Sequence, residues 1–204
     1  MSVVQCKATR AQNGFPCERV FDGIANVKGN GWAVNTGTLM NSHMSKGKPV
    51  SIALAFDTDH VVHKFKITTA YDVCTPKDDT CHQAREFSLW YSPDPAPTLA
   101  SRWFPVEGIK LQKGVSARVE RNFVQASTYK SEYTLSFPAV HATGLMLTVH
   151  AAFYDNIVIA EMTAFQCPRS AEDDMPCGND WVCIGVWSRE QMRDENVTIG
   201  PLHS

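Results

Sequence analysis

Apolar and polar side chains alternate along most of the chain beyond its first quarter. Within residues 50–56 the large apolar side chains occupy the even positions, and residues 87–91, 133–137 and 145–149 repeat this period of two. Such alternation is typical of half-buried antiparallel strands, and no long stretch has the spacing of three and four that marks a helix. The pattern predicts an all-β sandwich, with an irregular stretch, residues 1–48, wrapped around it.

A second region begins after Cys167. The polar, acidic stretch 168–176 is typical of a linker, and Cys177 and Cys183 enclose a short loop beyond it. The residues that follow are too few to form a core of their own. We therefore predict a sandwich over residues 1–167 and an irregular, cysteine-bearing C-terminal extension over residues 168–204, which packs on the sandwich or on a partner.

Composition and charge narrow the function classes. The chain has 204 residues and a net charge of −2, so simple attraction to nucleic acid or to anionic lipid is not expected. No apolar run approaches the roughly 18 residues of a membrane span, and the first residues lack the features of a signal peptide. Seven cysteines and a glycosylation acceptor at Asn196 favour an extracellular or secreted protein. An intracellular assembly subunit is the alternative.

The titratable residues do not form a recognisable enzyme motif. Asp57, Asp59, His60 and His63 are close in sequence, but His60 and His63 face opposite ways on a strand, and we interpret all four as exposed strand residues. There is no nucleophile elbow, phosphate-binding loop or dinucleotide fingerprint. The cysteine spacings differ from those of zinc sites, which favours disulfides. We therefore expect a protein that is not an enzyme.

Several short motifs occur in an order that suggests a family. They are Phe-Asp-Gly at 21–23, Gly-Trp at 31–32, the strands at 50–56, 85–94 and 144–149, and Ile-Val-Ile-Ala-Glu-Met at 157–162. From about Cys6 to Cys167 the chain resembles discoidin domains, the coagulation-factor C-type family, and the galactose-binding-like modules of fucose lectins and bacterial glycosidases. The resemblance implies an antiparallel sandwich of jelly-roll type.

The same resemblance implies a non-catalytic recognition module. It would be a lectin-like domain that binds cell-surface or matrix glycans through loops at one end of the sandwich. The alternative is a protein-interaction or structural subunit that keeps the fold without a sugar site, and the cysteine-bearing extension supports it. Membrane-lipid binding, which some discoidin domains perform through apolar loops, is disfavoured by the low basic charge.

Glu161 is the most unusual position in the last predicted strand. It shares a face with Ile157, Ile159 and Phe165, and an ionised carboxylate turned toward a core is costly unless it is paired or binds a metal. Two alternatives remain open. Glu161 can lie at a strand end where the opposite face is the buried one, or it can pair with an arginine such as Arg19.

The resemblance favours a metal at this position. In the family, a glutamate here and the aspartate of the early Asp-Gly hold a structural calcium ion, together with oxygen atoms of the intervening loop. Asp22 and Glu161 match that motif, and the loop adds Arg19, Asn26 and Asn30. A threonine is usual in the family where Asn30 stands.

The resemblance also indicates where a sugar would bind. Phe153, Tyr154 and Asn156 precede the last strand, where an aromatic ring can cover a sugar face and Asn156 can bond to hydroxyls. Without a sugar, Phe153 would be a core residue and Tyr154 a surface residue. His82 and Arg85 precede and begin a predicted strand, and both can donate hydrogen bonds.

A further histidine, His43, stands in a polar loop where family lectins often have one. A lone loop histidine is otherwise simply solvated.

Three cysteine pairs follow from the resemblance and the local spacing. The family staples its first and last strands, which implies a disulfide between Cys6 and Cys167. The local pairs are then Cys74 with Cys81 and Cys177 with Cys183. This assignment leaves Cys17 over, either buried or linking chains.

Overall fold

A computed structural model of the protein describes residues 1–25, 27, 30–35, 49–69, 84–127, 130–152 and 156–167, and for Asn35 and Asn156 the main chain alone. Almost all regular structure in these residues is β. The strands are β1 (Val3–Ala8), β2 (Trp32–Asn35), β3 (Val50–Thr69), β4 (Ala84–Ser92), β5 (Phe104–Pro105), β6 (Lys110–Leu111), β7 (Ala117–Glu120), β8 (Phe123–Ala126), β9 (Glu132–Ala152) and β10 (Asn156–Gln166). A short 3₁₀ helix, Cys17–Phe21, precedes β2. Among the described residues, no helix has the length and apolarity needed to cross a membrane.

Two long strands, β3 and β9, connect the layers of the sandwich. The first layer contains β1, β4, β5, β7 and β8, together with residues 50–55 of β3 and 144–152 of β9. The second layer contains β2, β6 and β10, together with residues 60–69 of β3 and 132–142 of β9. The pairing of β3 with β9 shifts between Ala55 and His60, where the chain passes from one layer to the other.

The apolar positions predicted from the alternation fill the space between the layers. Ile52, Leu54, Phe87 and Leu145 are completely buried, as the period of two requires. The rings of Phe87 and Tyr133 lie 5.5 Å apart, although Phe87 belongs to the first layer and Tyr133 to the second. The all-β antiparallel sandwich expected from the sequence is therefore confirmed.

The N-terminal stretch is more regular than the sequence suggested. It was expected to be irregular throughout, yet β1 pairs with β3 and β2 pairs with β10. Both strands lie at the border of their layer, and Val4 on β1 is largely exposed. In β2, by contrast, Trp32, Ala33 and Val34 are all buried. Neither strand therefore shows a clear alternation in sequence, and pairing with a neighbouring strand determines its conformation.

One strand, β10, departs from strict alternation. Its pairing with β3 shifts between Ile159 and Glu161, which indicates a bulge. Before the shift Ile159 is buried, and beyond it Met162 is buried, whereas Glu161 and Phe165 are only half-buried. Glu161 therefore shares a face with Phe165, as expected, but not with Ile159, because one extra residue exchanges the two faces of a strand. Beyond the bulge the alternative holds, in which the face of Met162 is the buried one.

The disulfide between Cys6 and Cys167 is not formed. Cys6 bonds instead to Cys17, with their Cα atoms 5.9 Å apart, so Cys17 is not left over. Cys6 lies opposite Leu54 in the first layer, whereas the N–H of Cys167 donates to the Val61 carbonyl in the second layer. A disulfide needs Cα atoms roughly 4.4 to 6.8 Å apart, and the 3₁₀ helix brings Cys17 within that range.

The remaining predictions about cysteines concern residues outside the described ones. Cys167 is itself disulfide-bonded, and its partner is not Cys6. Cys74, Cys81, Cys177 and Cys183 all lie outside the described residues, as does the extension over residues 168–204. The local pairs and the domain boundary at residue 167 therefore stay predictions.

Candidate functional site

The strand residues that flank the predicted sugar-binding stretches lie at one end of the sandwich. At this end, which we call the loop end, Ala84 at the start of β4 lies opposite Ala152 at the finish of β9. Asn35 lies opposite Asn156 at the start of β10, and the last residue of β3, Thr69, lies opposite Ile159. The stretches 36–48, 70–83 and 153–155 therefore all start and finish on strands at the loop end.

Arg85 is the predicted sugar ligand that the structure describes fully. Its side chain is 46% exposed, and its guanidinium lies 3.1 Å from Oε1 of Glu86. The same oxygen accepts a hydrogen bond of 3.0 Å from Nε2 of Gln125 on β8. A guanidinium has five N–H donors, so this contact leaves donors of Arg85 for a ligand at the loop end.

Most other predicted sugar ligands cannot be placed. His43, His82, Phe153 and Tyr154 lie outside the described residues. For Asn156 the main chain alone is described, opposite Asn35. Their roles remain predictions based on residue type and position in the chain.

A second site lies where the loop after the 3₁₀ helix meets β10. Oδ1 of Asp22 accepts a hydrogen bond of 2.9 Å from the N–H of Ile24. The amide nitrogen of Asn30 lies 3.2 and 3.1 Å from the two carboxylate oxygens of Asp22 and 2.8 Å from the Ile24 carbonyl. The amide nitrogen of Asn30 is therefore within hydrogen-bond distance of three oxygen atoms of the loop.

Glu161 adds a second carboxyl group to this site. The Gly23 N–H donates to it, while its Oε2 is buried and has no hydrogen-bond partner among the described residues. Burial raises the pKa of Glu161 to about 8, the Asp22 carboxylate adds to the shift, and the Gly23 N–H and Lys66 oppose it. The sequence prediction that Asp22 and Glu161 come together is consistent with this electrostatic coupling.

The residues of this site fit a small hard cation. A buried carboxylate oxygen without a partner is costly, and a cation between two carboxylates removes that cost. Among the described residues, no group of three or more His, Cys, Asp or Glu side chains is arranged to hold a metal. The Ile24 carbonyl, and the Asn30 amide oxygen once that amide turns its oxygen toward Asp22, would therefore complete the coordination shell.

The two remaining predicted cation ligands have different outcomes. The guanidinium carbon of Arg19 lies 5.8 Å from the centre of the Phe15 ring. Asn26 lies outside the described residues. Neither observation places an oxygen of these residues at the Asp22–Glu161 site.

The Asp and His residues at the bend of β3 form separate pairs. Nε2 of His60 lies 2.7 Å from Asp57, whereas Nδ1 of His141 lies 3.1 Å from Asp59. Desolvation raises the pKa of Asp57. The hydrogen bonds donated by His60 and the Ser2 N–H outweigh this effect and lower the pKa to about 2. Asp57 and Asp59 are exposed as expected, whereas His60 is mostly covered.

Comparisons with known proteins establish the fold. No family model matches the chain, and no curated protein matches it. A pectin-binding carbohydrate-binding module is 17% identical, with a TM-score of 0.51 over 84% of this chain and 93% of its own. The CBM32 of AlyQ, in complex with 4,5-unsaturated mannuronic acid, is 17% identical, with a TM-score of 0.52 over 81% of this chain and 97% of its own.

A third neighbour extends the same observation. Chitosan-binding module 1 of a chitosanase/glucanase from Paenibacillus sp. IK-5 is 14% identical, with a TM-score of 0.54 over 79% of this chain and 93% of its own. At these identities the likeness concerns the fold. The described part of the chain thus shares the β-sandwich fold of these carbohydrate-binding modules.

Proposed function

We propose that this chain is a non-catalytic, lectin-like module of discoidin type that binds glycans of a cell surface or matrix at the loop end. The observation that carries the proposal is that the described strand residues flanking three of the predicted sugar-binding stretches lie at that end. Arg85, next to Ala84 on β4, has an exposed guanidinium. The structural neighbours support the ligand class, because their names describe binding to pectin, to chitosan and to an unsaturated mannuronic acid.

The residue types at the loop end suit a sugar. A ring such as Tyr154 or Phe153 can cover the apolar face of a pyranose, while polar side chains bond to its hydroxyls. Arg85 supplies N–H donors directed at ring or hydroxyl oxygens, and His82, His43 and Asn156 have matching hydrogen-bonding groups. Binding of this kind needs no chemical step, because recognition depends on stacking and hydrogen bonds.

A glycan array followed by titration calorimetry tests the loop end. The Arg85→Ala variant should weaken sugar binding by about 1 to 3 kcal/mol while leaving the melting temperature unchanged. Arg102→Ala is the matched control, since Arg102 also pairs with a neighbouring carboxylate but lies beyond the opposite end of β4. Equal loss in both variants would contradict a site at the loop end.

We also propose that Asp22 and Glu161 hold a structural calcium ion. The Oε2 of Glu161, buried and without a partner among the described residues, supports this, as does its coupling to the Asp22 carboxylate. The Ile24 carbonyl would complete the shell, together with the Asn30 amide oxygen once that amide turns its oxygen toward Asp22. The ion would supply positive charge that keeps both carboxylates ionised and fastens the loop to β10.

The rival function is a protein-interaction subunit that keeps the fold without a sugar site. Silence across the glycan array, together with a stoichiometric protein that co-purifies with the full chain, would favour it. The Cys6–Cys17 disulfide supports the extracellular location proposed for the glycan-binding protein, because disulfides persist in oxidising compartments.

A further inference from the structure

The outward face of the second layer carries three lysines on β3 and β6, the two strands that flank β9. Lys64 on β3 lies opposite Ser136 on β9, and Ser136 lies opposite Lys110 on β6. Residues directly opposite one another in antiparallel strands point to the same face. Two residues along β3, Lys66 lies opposite Thr134 on the same face. We call these five residues the lysine face.

The register shows that the lysine face points away from the core. The intervening residues Phe65 and Leu135 are completely buried, and Ala164 is nearly so. Ser136 and Lys110 are exposed, while Lys64 is partly covered. Two strand spacings separate Lys64 from Lys110, which corresponds to roughly 10 Å between their Cα atoms.

The bulge in β10 adds an aromatic ring to one border of the lysine face. Beyond the bulge, Phe165 lies opposite Lys64 and points outward rather than into the core. The ammonium nitrogen of Lys64 lies 4.2 Å from the centre of this ring. A cation over an aromatic face is attracted by the ring, so Phe165 acts as a positioning residue for the Lys64 ammonium.

The lysines differ in whether a carboxylate neutralises them. Nζ of Lys66 lies 2.6 Å from Oε2 of Glu132. Within the described residues, neither Lys64 nor Lys110 has a carboxylate at ion-pair distance. Two uncompensated positive charges therefore flank the Ser136 hydroxyl, in a chain whose net charge is −2.

Protection of a sheet edge does not explain this arrangement. Charged residues on edge strands prevent unwanted strand pairing. Lys64, however, lies on β3, which has β10 on one side and β9 on the other. Like charges on one sheet face repel one another and are mildly destabilising. A ligand of opposite charge would offset this repulsion, and binding such a ligand gives the lysines a function.

We propose that the lysine face binds an acidic polysaccharide, with a carboxylate or sulfate group between Lys64 and Lys110. The exposed hydroxyl of Ser136 and the partly buried hydroxyl of Thr134 suit a polyhydroxylated ligand, whose sugar hydroxyls both donate and accept hydrogen bonds. Two uncompensated lysines are too few for the row of phosphate contacts that duplex DNA requires. The choice of a glycan as the ligand rests on the proposed function, but the surface is separate from the loop end.

Titration calorimetry of the full chain with polygalacturonate, heparin and neutral galactan tests the proposal. The Lys64→Gln/Lys110→Gln variant should bind at least one acidic polymer about five- to tenfold more weakly, because each polymer presents many charges to the face. Lys7→Gln/Arg118→Gln is the matched control, since it removes the same charge from exposed positions of the first layer. Added salt should weaken wild-type binding and affect the lysine variant less.

The two acidic polymers separate the two anion sources. Loss confined to polygalacturonate assigns carboxylates, and loss confined to heparin assigns sulfates. Phe165→Leu should weaken binding about twofold, and Phe165→Tyr should restore it, because a tyrosine ring also attracts the Lys64 ammonium. A general packing defect would instead lower the melting temperature of the Leu variant in step with its affinity.

Three results would overturn the proposal. The first is equal binding of the acidic polymers by the lysine variant and the wild type. The second is an equal loss of binding in the lysine variant and its control. The third is binding of the lysine face to duplex DNA or anionic vesicles, but to no acidic glycan. Failure at the loop end is distinguishable from failure here. Arg85→Ala should leave the salt-dependent part of polygalacturonate binding intact, and the lysine variant should leave monosaccharide binding intact.

Discussion

Charged side chains at the two ends of the outward face of the second layer differ in how far they are buried. At one end, Glu161 lies opposite Thr68 on β3, and one oxygen of its carboxyl group is buried without a partner among the described residues. At the other end, Lys64, four residues before Thr68 on β3, and Lys110, on β6, keep their charges near water. The difference is the loop around Asp22, which covers Glu161 and leaves the lysines open.

The comparison teaches that burial decides whether a charge governs stability or recognition. A covered carboxylate must be protonated, paired or bound to a cation, and each choice alters the free energy of folding. A solvated lysine changes stability little and remains available to a ligand. We therefore expect substitutions at the Glu161 end to alter stability and substitutions at the lysine face to alter binding.

The largest expected effect comes from Gly31, which adjoins the Glu161 end. It has a φ of +117°, and a Cβ added there would lie 2.4 Å from the Ile159 carbonyl oxygen and 2.9 Å from the Ala160 Cα. Gly31→Ala should lower the free energy of unfolding by about 3 kcal/mol or more, as urea denaturation would measure. Gly114→Ala is the control, because Gly114 has a φ of +86° but open space around it. A similar loss in both variants would show that the close approach to β10 is unimportant.

The next effect comes from Asp22. Asp22→Ala removes the acceptor for the Ile24 N–H and for the Asn30 amide, and should cost about 2 to 3 kcal/mol. If the proposed calcium ion is bound, chelator should lower the melting temperature of the wild type and leave this variant unchanged. Glu107→Ala, at an exposed position, should resemble the wild type in both tests. A wild-type melting temperature that ignores chelator would end the calcium proposal without affecting the fold.

A smaller effect should appear as a pH dependence. The pKa of Glu161 in the folded protein is raised to about 8 from an ordinary value of 4.5, so the folded state binds more protons between these values. In chelator, the contribution of Glu161 should be fully present below pH 4.5 and lost as the pH rises to about 8. Burial lowers the pKa of His150, which gives a slope of opposite sign below pH 6.5. Comparison with Glu161→Gln across pH 5 to 8 isolates the carboxyl, and identical slopes would contradict the assignment.

The smallest stability effect is expected at the lysine face. Lys64→Gln/Lys110→Gln should change the free energy of unfolding by less than about 0.5 kcal/mol, since neither lysine has an ion-pair partner among the described residues. Lys66→Gln breaks the contact with Glu132 and should cost at most about 1 kcal/mol. Urea denaturation measures both. A large loss in the double variant would show that the lysines have a structural role.

The sequence predicted a candidate site at Asp22 and Glu161, which stays a prediction, and it did not indicate the lysine face. The pairing of Asp22 with Glu161 was predicted from the family motif, and their electrostatic coupling agrees with it. The lysine face was not predicted, although Lys64 and Lys66 are two apart in an alternating strand. The alternation did not predict β6, a two-residue strand that places Lys110 beside Ser136. So short a strand has no detectable period.

The sequence by itself determined the strand pattern and the composition of the core, because the period of two and the turn residues are local properties of the chain. The tertiary structure alone decided which faces of β10 are buried on either side of its bulge and that Cys6 bonds to Cys17 rather than to Cys167. It also placed Phe165 beside Lys64. Each of these depends on residues far apart in sequence, whose distances are set only when the two layers pack together.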